Sequence, residues 1–114
     1  GVLHIAHTAA VPCLDSILSA EGVDAYFVGP YDLSGSLGIP GQFDHPDFLR
    51  VMKEIREIAL KLDKPGGVHV VEPNPKHLAE CIRDGNRFIA YGIDIRMLDT
   101  ICRDGLNFVE DLRS

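Results

Sequence analysis

Apolar and polar positions along this chain switch repeatedly between two periods. Val2 to Ile5 is a short apolar run broken by His4 and predicts a strand. Val11, Leu14, Ile17 and Leu18 then recur at helical spacing, which predicts a helix over Ala9–Ala20 with Thr8 as its cap and Pro12 in its first turn. Glu21-Gly22 ends it, and Val23–Val28 is a second strand. After Ile39-Pro40-Gly41-Gln42, a turn, Asp44 is placed to cap a long helix with Pro46 in the first turn. Phe48, Leu49, Met52, Ile55, Ile58, Ala59 and Leu62 form its inward face, and Lys53, Glu54, Arg56, Glu57 and Lys61 a solvated one.

Lys64-Pro65-Gly66 breaks that helix, and Gly67–Val71 predicts a third strand carrying His69. Asn74-Pro75 starts the next helix, with Leu78, Cys81 and Ile82 inward and Gly85 at its C-terminal end. Arg87–Tyr91 is a fourth strand. Asp94 caps a last helix with Met97, Leu98, Ile101 and Cys102 inward; Gly105 closes it, and a short amphipathic tail follows. Strands alternating with helices over short connections predict a parallel sheet covered by helices. Four such units make half of a (β/α)8 barrel, which takes about 250 residues when whole, or a small open sheet. The nearly all-apolar strands suit burial on both faces in either arrangement.

No composition break divides residues 1–114, so the chain reads as one partial-barrel domain. Because it opens almost directly on a strand, a preceding segment is expected. The formal net charge of −6, with no basic cluster, speaks against nucleic acid or an anionic membrane as partner. No apolar run approaches a membrane span, and no charged-then-apolar leader is present, so a cytoplasmic protein is expected. Cys13, Cys81 and Cys102 are odd in number and widely spaced, which predicts reduced, mostly buried thiols and no zinc site.

The chemistry concentrates where the second strand ends. Gly29-Pro30 cannot extend the apolar run Ala25–Val28, and Asp32 follows at once, just past the C-terminal end of a strand, where α/β folds place their active groups. Ser34-Gly35-Ser36 and Gly38 suit a loop whose backbone N–H groups face an anion. An active-site loop and a turn whose Asp caps its own backbone both fit.

The run from Gly22 to Gly38, Gly-Val-Asp-Ala-Tyr-Phe-Val-Gly-Pro-Tyr-Asp-Leu-Ser-Gly-Ser-Leu-Gly, resembles the signature of the HpcH/HpaI aldolase family. Ile39-Pro40-Gly41-Gln42-Phe43, Gly67-Val68-His69 and Phe88-Ile89-Ala90-Tyr91-Gly92-Ile93-Asp94 extend the resemblance in order. What the chain is similar to is the C-terminal half of such an enzyme, strands five to eight of the barrel. The resemblance implies a class II aldolase that cleaves 4-hydroxy-2-oxo acids to pyruvate and an aldehyde with the help of Mg, Mn or Co. It implies that Asp32 is a metal ligand, that the Tyr31 and Asp32 amides hold the 2-oxo acid carboxylate, and that His69 lines the pocket.

It also marks two departures. The family pattern Gln-Ile-Glu-His reads His4-Ile5-Ala6-His7 here, so Ala6 stands where the second metal ligand is expected. The Arg that clamps the oxo acid and the His that assists proton transfer belong to the N-terminal half, so no catalytic acid or base is expected in this chain. A rebuilt His4–Asp32–His69 site, softer and suited to Zn, Ni or Co, is one alternative. His7, His45 and His77 read as surface or loop residues. By resemblance the chain forms a homo-oligomer packed through its last helices, or complements a separate N-terminal half. A non-catalytic half-barrel and a small open domain binding an acidic metabolite at Ser34–Gly38 are the competing readings.

Overall fold

The computed structural model describes all residues, Gly1–Ser114. Four strands form one sheet: β1 (Val2–Ile5), β2 (Ala25–Val28), β3 (Gly66–Val70) and β4 (Phe88–Tyr91). They lie in sequence order and every pair is parallel. Between and after them come α1 (Leu14–Leu18), α2 (Pro30–Ser36), α3 (Pro46–Lys61), α4 (Pro75–Arg83) and α5 (Asp94–Arg113). Right-handed crossovers that always step in one direction put their helices on the same side of the sheet. The expected partial (β/α) barrel is therefore what forms, as an open sheet with one covered face.

Side-chain burial follows from that. Ile5, Tyr26 and Val28 point to the helices and join Val11, Leu14, Leu18, Leu33, Phe48, Val51, Ile55 and Ala59 in the main core. Val68, Val70 and Cys81 form a second, smaller core under α4. The strands are not buried on both faces. Across the other face the register aligns His4, Phe27, Gly67 and Phe88 in one row. The His4 and Phe27 rings lie 6.0 Å apart, and those of Phe27 and Phe88 5.3 Å apart. Phe88 is 52% exposed, because no helix covers that side.

Gly67 lets the two phenyl rings meet. A side chain there would collide with the Phe88 backbone oxygen, which the β3–β4 ladder holds, and with both rings. Gly67→Ala is accordingly expected to destabilise the chain by about 1–3 kcal/mol, the cost of overpacking a site that cannot yield. A lowered urea midpoint at unchanged slope is the readout.

Several elements differ from the pattern-based expectation. The first helix starts as a 3-10 segment, Thr8–Cys13, and its cap is His7, whose Nδ1 accepts from the Ala9 N–H at 3.0 Å. The long helix is likewise capped by His45, Nδ1 accepting from Asp47 N–H at 3.1 Å, and not by Asp44. Both rings must present a lone pair, and so be neutral, to serve in this way. Leu49 and Ile82 are exposed, as are Cys13 and Cys102; Cys81 alone among the thiols is buried. The last helix does not end at Gly105. That residue stays out of the left-handed region in which a glycine terminates a helix, so the coil continues to Arg113.

No residue of α5 is buried, so Met97, Leu98, Ile101 and Cys102 do not point into a core. Arg96 ties its first turn to Glu72 by three hydrogen bonds of 2.9–3.1 Å, and beyond that the helix projects. The radius of gyration, 16.7 Å, accordingly exceeds the about 13 Å of a compact chain this long. No helix is long and apolar enough to cross a membrane.

Burial beside the carboxylates of Asp84 and Glu80 pushes the Cys81 thiol up, burial being the larger effect. At neutral pH a maleimide should modify Cys13 and Cys102 promptly and Cys81 only after unfolding, which mass spectrometry over time would resolve.

Candidate active site

The segment after β2 is a helix and not an open loop. Gly29 is its N-cap, with extended backbone, and Pro30 occupies the first helical position, where a missing N–H costs nothing. Leu33 N–H bonds Gly29 carbonyl at 2.9 Å, and Gly29 N–H bonds Ile5 carbonyl at 3.2 Å. Tyr31 and Asp32 therefore carry the amides of the first turn that have no carbonyl one turn earlier to reach within the helix. Leu33, wholly buried, anchors α2 into the main core and fixes where Asp32 starts.

The small polar residues do not face an anion. Ser34 Oγ donates to Tyr31 carbonyl at 3.1 Å and accepts from Gly41 N–H at 3.0 Å. Ser36 Oγ donates to Leu33 carbonyl at 2.7 Å and accepts from Thr8 N–H at 3.1 Å. They lash α2 to the loop after it and to the segment after β1. The helix closes on Gly38, at φ 76°, with Ile39 N–H bonding Ser34 carbonyl at 3.0 Å. Tyr31 is partly exposed and sets its ring edge-on to Phe43, centroids 5.0 Å apart. A groove of about 320 Å³ runs from Tyr31 and His69 between α3 and α4 to Cys81.

His4 and Asp32 flank Gly29. A carbon attached to Gly29 would lie 2.5 Å from His4 Nε2 and 2.9 Å from Asp32 Oδ2. A glycine leaves open the space between the imidazole and the carboxylate. Ala6 follows two residues after His4, on the same side of the strand's course, and offers no donor. His69 is turned elsewhere: its Nε2 pairs with the Gly92 carbonyl at 3.0 Å. No three metal-ligating side chains cluster, so His4, Asp32 and His69 are not assembled as one site. Asp32 is the oxygen donor and His4 the nitrogen donor nearest Gly29.

A model of the family HpcH/HpaI aldolase/citrate lyase matches residues 2–99. A pyruvate aldolase of Rhizobium etli is 37% identical over 97 residues, which are 85% of this chain and 37% of that protein. A 2-keto-3-deoxy-L-rhamnonate aldolase of Klebsiella pneumoniae is 36% identical over 94 residues, 82% of this chain and 34% of the relative. The crystal structure of an HpcH/HpaI aldolase from Desulfitobacterium hafniense superposes with a TM-score of 0.84 at 28% identity, over 96% of this chain and 42% of that one. An HpcH/HpaI aldolase/citrate lyase family protein from Burkholderia cenocepacia gives 0.85 at 26% identity, over 99% and 42%. The chain thus spans little more than a third of the length of the curated relatives it matches.

Proposed function

The chain belongs to the HpcH/HpaI aldolase/citrate lyase family, and from this we propose that it is the strand-five-to-eight portion of a metal-dependent carbon–carbon lyase acting on 4-hydroxy-2-oxo acids. The observation that carries the reading is the start of α2: a carboxylate, Asp32, at a strand's C-terminal end, beside two amides with no intrahelical acceptor. Those amides, of Tyr31 and Asp32, would receive the carboxylate of pyruvate or its parent oxo acid. Asp32 would hold the cation, Mg, Mn or Co by resemblance. A bound cation supplies positive charge that offsets the negative charge developing on the 2-oxo acid as the carbon–carbon bond breaks. His69 would line the pocket from β3, its ring oriented by Gly92.

None of these residues is a proton donor or base placed for the reaction, and the Arg clamp and proton-transferring His implied by resemblance are not among them. The chain alone should therefore be slow by several powers of ten. Ala6 weakens the cation site further, since Ala has no oxygen to offer. Turnover is expected only where this portion is joined by the rest of the barrel.

The test is release of pyruvate from a 4-hydroxy-2-oxo acid with added Mn or Co. It is run on the chain, on Ala6→Glu and on Asp32→Asn, each alone and mixed with the N-terminal portion of the Rhizobium etli relative. Pyruvate should appear on mixing, increase with Ala6→Glu and vanish with Asp32→Asn. Its absence from every combination overturns the reading.

A second reading, a non-catalytic half-barrel that associates with itself, is favoured by the bare aromatic row of the sheet and by α5, whose Leu98, Ile101, Phe108 and Leu112 are all exposed.

A further inference from the structure

We propose that the cavity at the N-terminal ends of β2, β3 and β4 binds a small oxyanion, the phosphate or carboxylate group of a metabolite, through Tyr26, Arg56 and Arg87. It lies at the end of the sheet opposite the start of α2 and does not depend on the lyase reading.

The cavity measures about 540 Å³ and opens beside the C-terminal ends of α3 and α4. Tyr26 reaches it from β2, Arg56 from α3 and Arg87 from the residue before β4. Tyr26 is only 5% exposed, yet its hydroxyl has no hydrogen-bond partner in the chain. No fully enclosed side-chain polar atom is left unpaired anywhere in the fold, so this hydroxyl opens onto the cavity. A nearly buried phenol is satisfied by whatever occupies the space before it. A side-chain carbon at Gly66 would run into the Tyr26 hydroxyl and ring, so the glycine lets the phenol reach that far. Burial pushes the phenol up, with nearby Arg56 opposing, so at neutral pH the hydroxyl keeps its proton and can donate.

The guanidinium groups are also unspent. Arg56 faces Asp84 at 3.9 Å, too long for a hydrogen bond. The Arg87 side chain has no partner, while its backbone N–H bonds Gly66 carbonyl at 2.8 Å and fixes it at the cavity's edge. Acceptors at the helix ends are already taken. Ala59 carbonyl receives Lys64 N–H at 2.9 Å, and Cys81 carbonyl receives Asn86 N–H at 3.1 Å. Lys64, Asp63 and Asp84 complete the charged lining, so three cationic side chains stand against two carboxylates in a chain whose formal net charge is −6. Free donors around a locally positive hollow select a ligand of anionic oxygens, which a guanidinium fork matches in shape as well as charge.

The test is titration of the full chain with inorganic phosphate and, separately, malonate, each against chloride at equal ionic strength and pH. Nitrogen–proton correlation spectra should show saturable shifts at the amides of Gly66, Gly85 and Arg87. Tyr26→Phe keeps the ring in the core, removes only the hydroxyl and should weaken binding roughly tenfold, the loss of one hydrogen bond to a charged group. Arg87→Gln should do the same. Arg50→Gln, an exposed cation paired with Asp47 near the start of α3, should leave the affinity unchanged. Dispersed spectra establish that each variant is folded. Tighter binding of phosphate assigns a phosphorylated ligand and tighter binding of malonate a dicarboxylate, and either result upholds the site. No saturable shift at those amides with either probe overturns the proposal, as do affinities unchanged in both Tyr26→Phe and Arg87→Gln.

Discussion

Replacing Leu33 by alanine should destabilise the chain by about 2–5 kcal/mol, the range for truncating a buried leucine whose surroundings cannot collapse. Leu33 is fully buried within the eleven-residue main core, against residues from β1, β2, α1 and α3. A domain has only about 5–15 kcal/mol to lose, and this one lies low in that range, since just 19 of its 114 residues are buried and one face of its sheet is bare. Chemical unfolding of Leu33→Ala should show a midpoint far below the parent's, and a thermal transition lowered by several degrees at least. The neighbouring exposed substitution Tyr31→Phe keeps the ring that meets Phe43 and should leave the midpoint within about 0.5 kcal/mol of the parent. Because Leu33 also sets the position of α2, the same variant should lose the cation binding proposed for Asp32 before it unfolds. An unchanged midpoint would mean that α2 is not docked as described.

The second large effect concerns the bare face. Phe88→Asp is expected to be nearly silent in a monomer, where that ring is already half in water, and severe in an assembly that covers it. Desolvating an unpaired carboxylate in an apolar contact costs several kcal/mol, so self-association should weaken by roughly 100-fold or more. Analytical ultracentrifugation of the parent should give a mass above that of one chain, and Phe88→Asp should return it to a monomer. A clean monomer for the parent would remove self-association from both functional readings. A matched Leu112→Asp on α5 reports whether the projecting helix contributes separately.

Much of the architecture was legible because it depends on periodicity alone. The alternation of four apolar runs with helical stretches dictated the parallel, sequential sheet, and Asn74-Pro75 and Gly85 bounded α4 as written. What escaped depends on local backbone direction and on which surfaces are covered. His7 and His45 cap helices in place of Thr8 and Asp44, since which side chain reaches the first amide is decided by backbone direction and not by the usual preference for hydroxyls and carboxylates. Gly105 continues a helix because it does not adopt the left-handed conformation that ends one. The exposure of Leu49, Ile82 and the apolar side chains of α5 depends on which surfaces other elements cover, which no pattern along the chain records.

In the sequence, Asp32 stands out by its place after an apolar run and Ala6 by its departure from the quoted pattern. The stretch Ser34–Gly38 was mistaken for an open anion loop because Gly and Ser signal turns, whereas here both hydroxyls bond carbonyls within the helix and amides beyond it. That His4 and Asp32 both come near Gly29 could be anticipated only as far as the ends of β1 and β2. That Gly29 supplies the space between them is a matter of a missing carbon atom, visible only in three dimensions.

The two cores under the sheet are very unequal, eleven residues beneath the first two strands and three beneath the last two. Local opening should therefore be graded along the chain. Amides of β4 and α5 would exchange with solvent through cheap, partial unfolding while those of β1 and β2 waited for the whole domain to open. The end of β2 that carries Gly29 and Asp32 belongs to the slow half, and the strand that would meet a partner belongs to the fast one. Docking at that edge would then leave the start of α2 undisturbed.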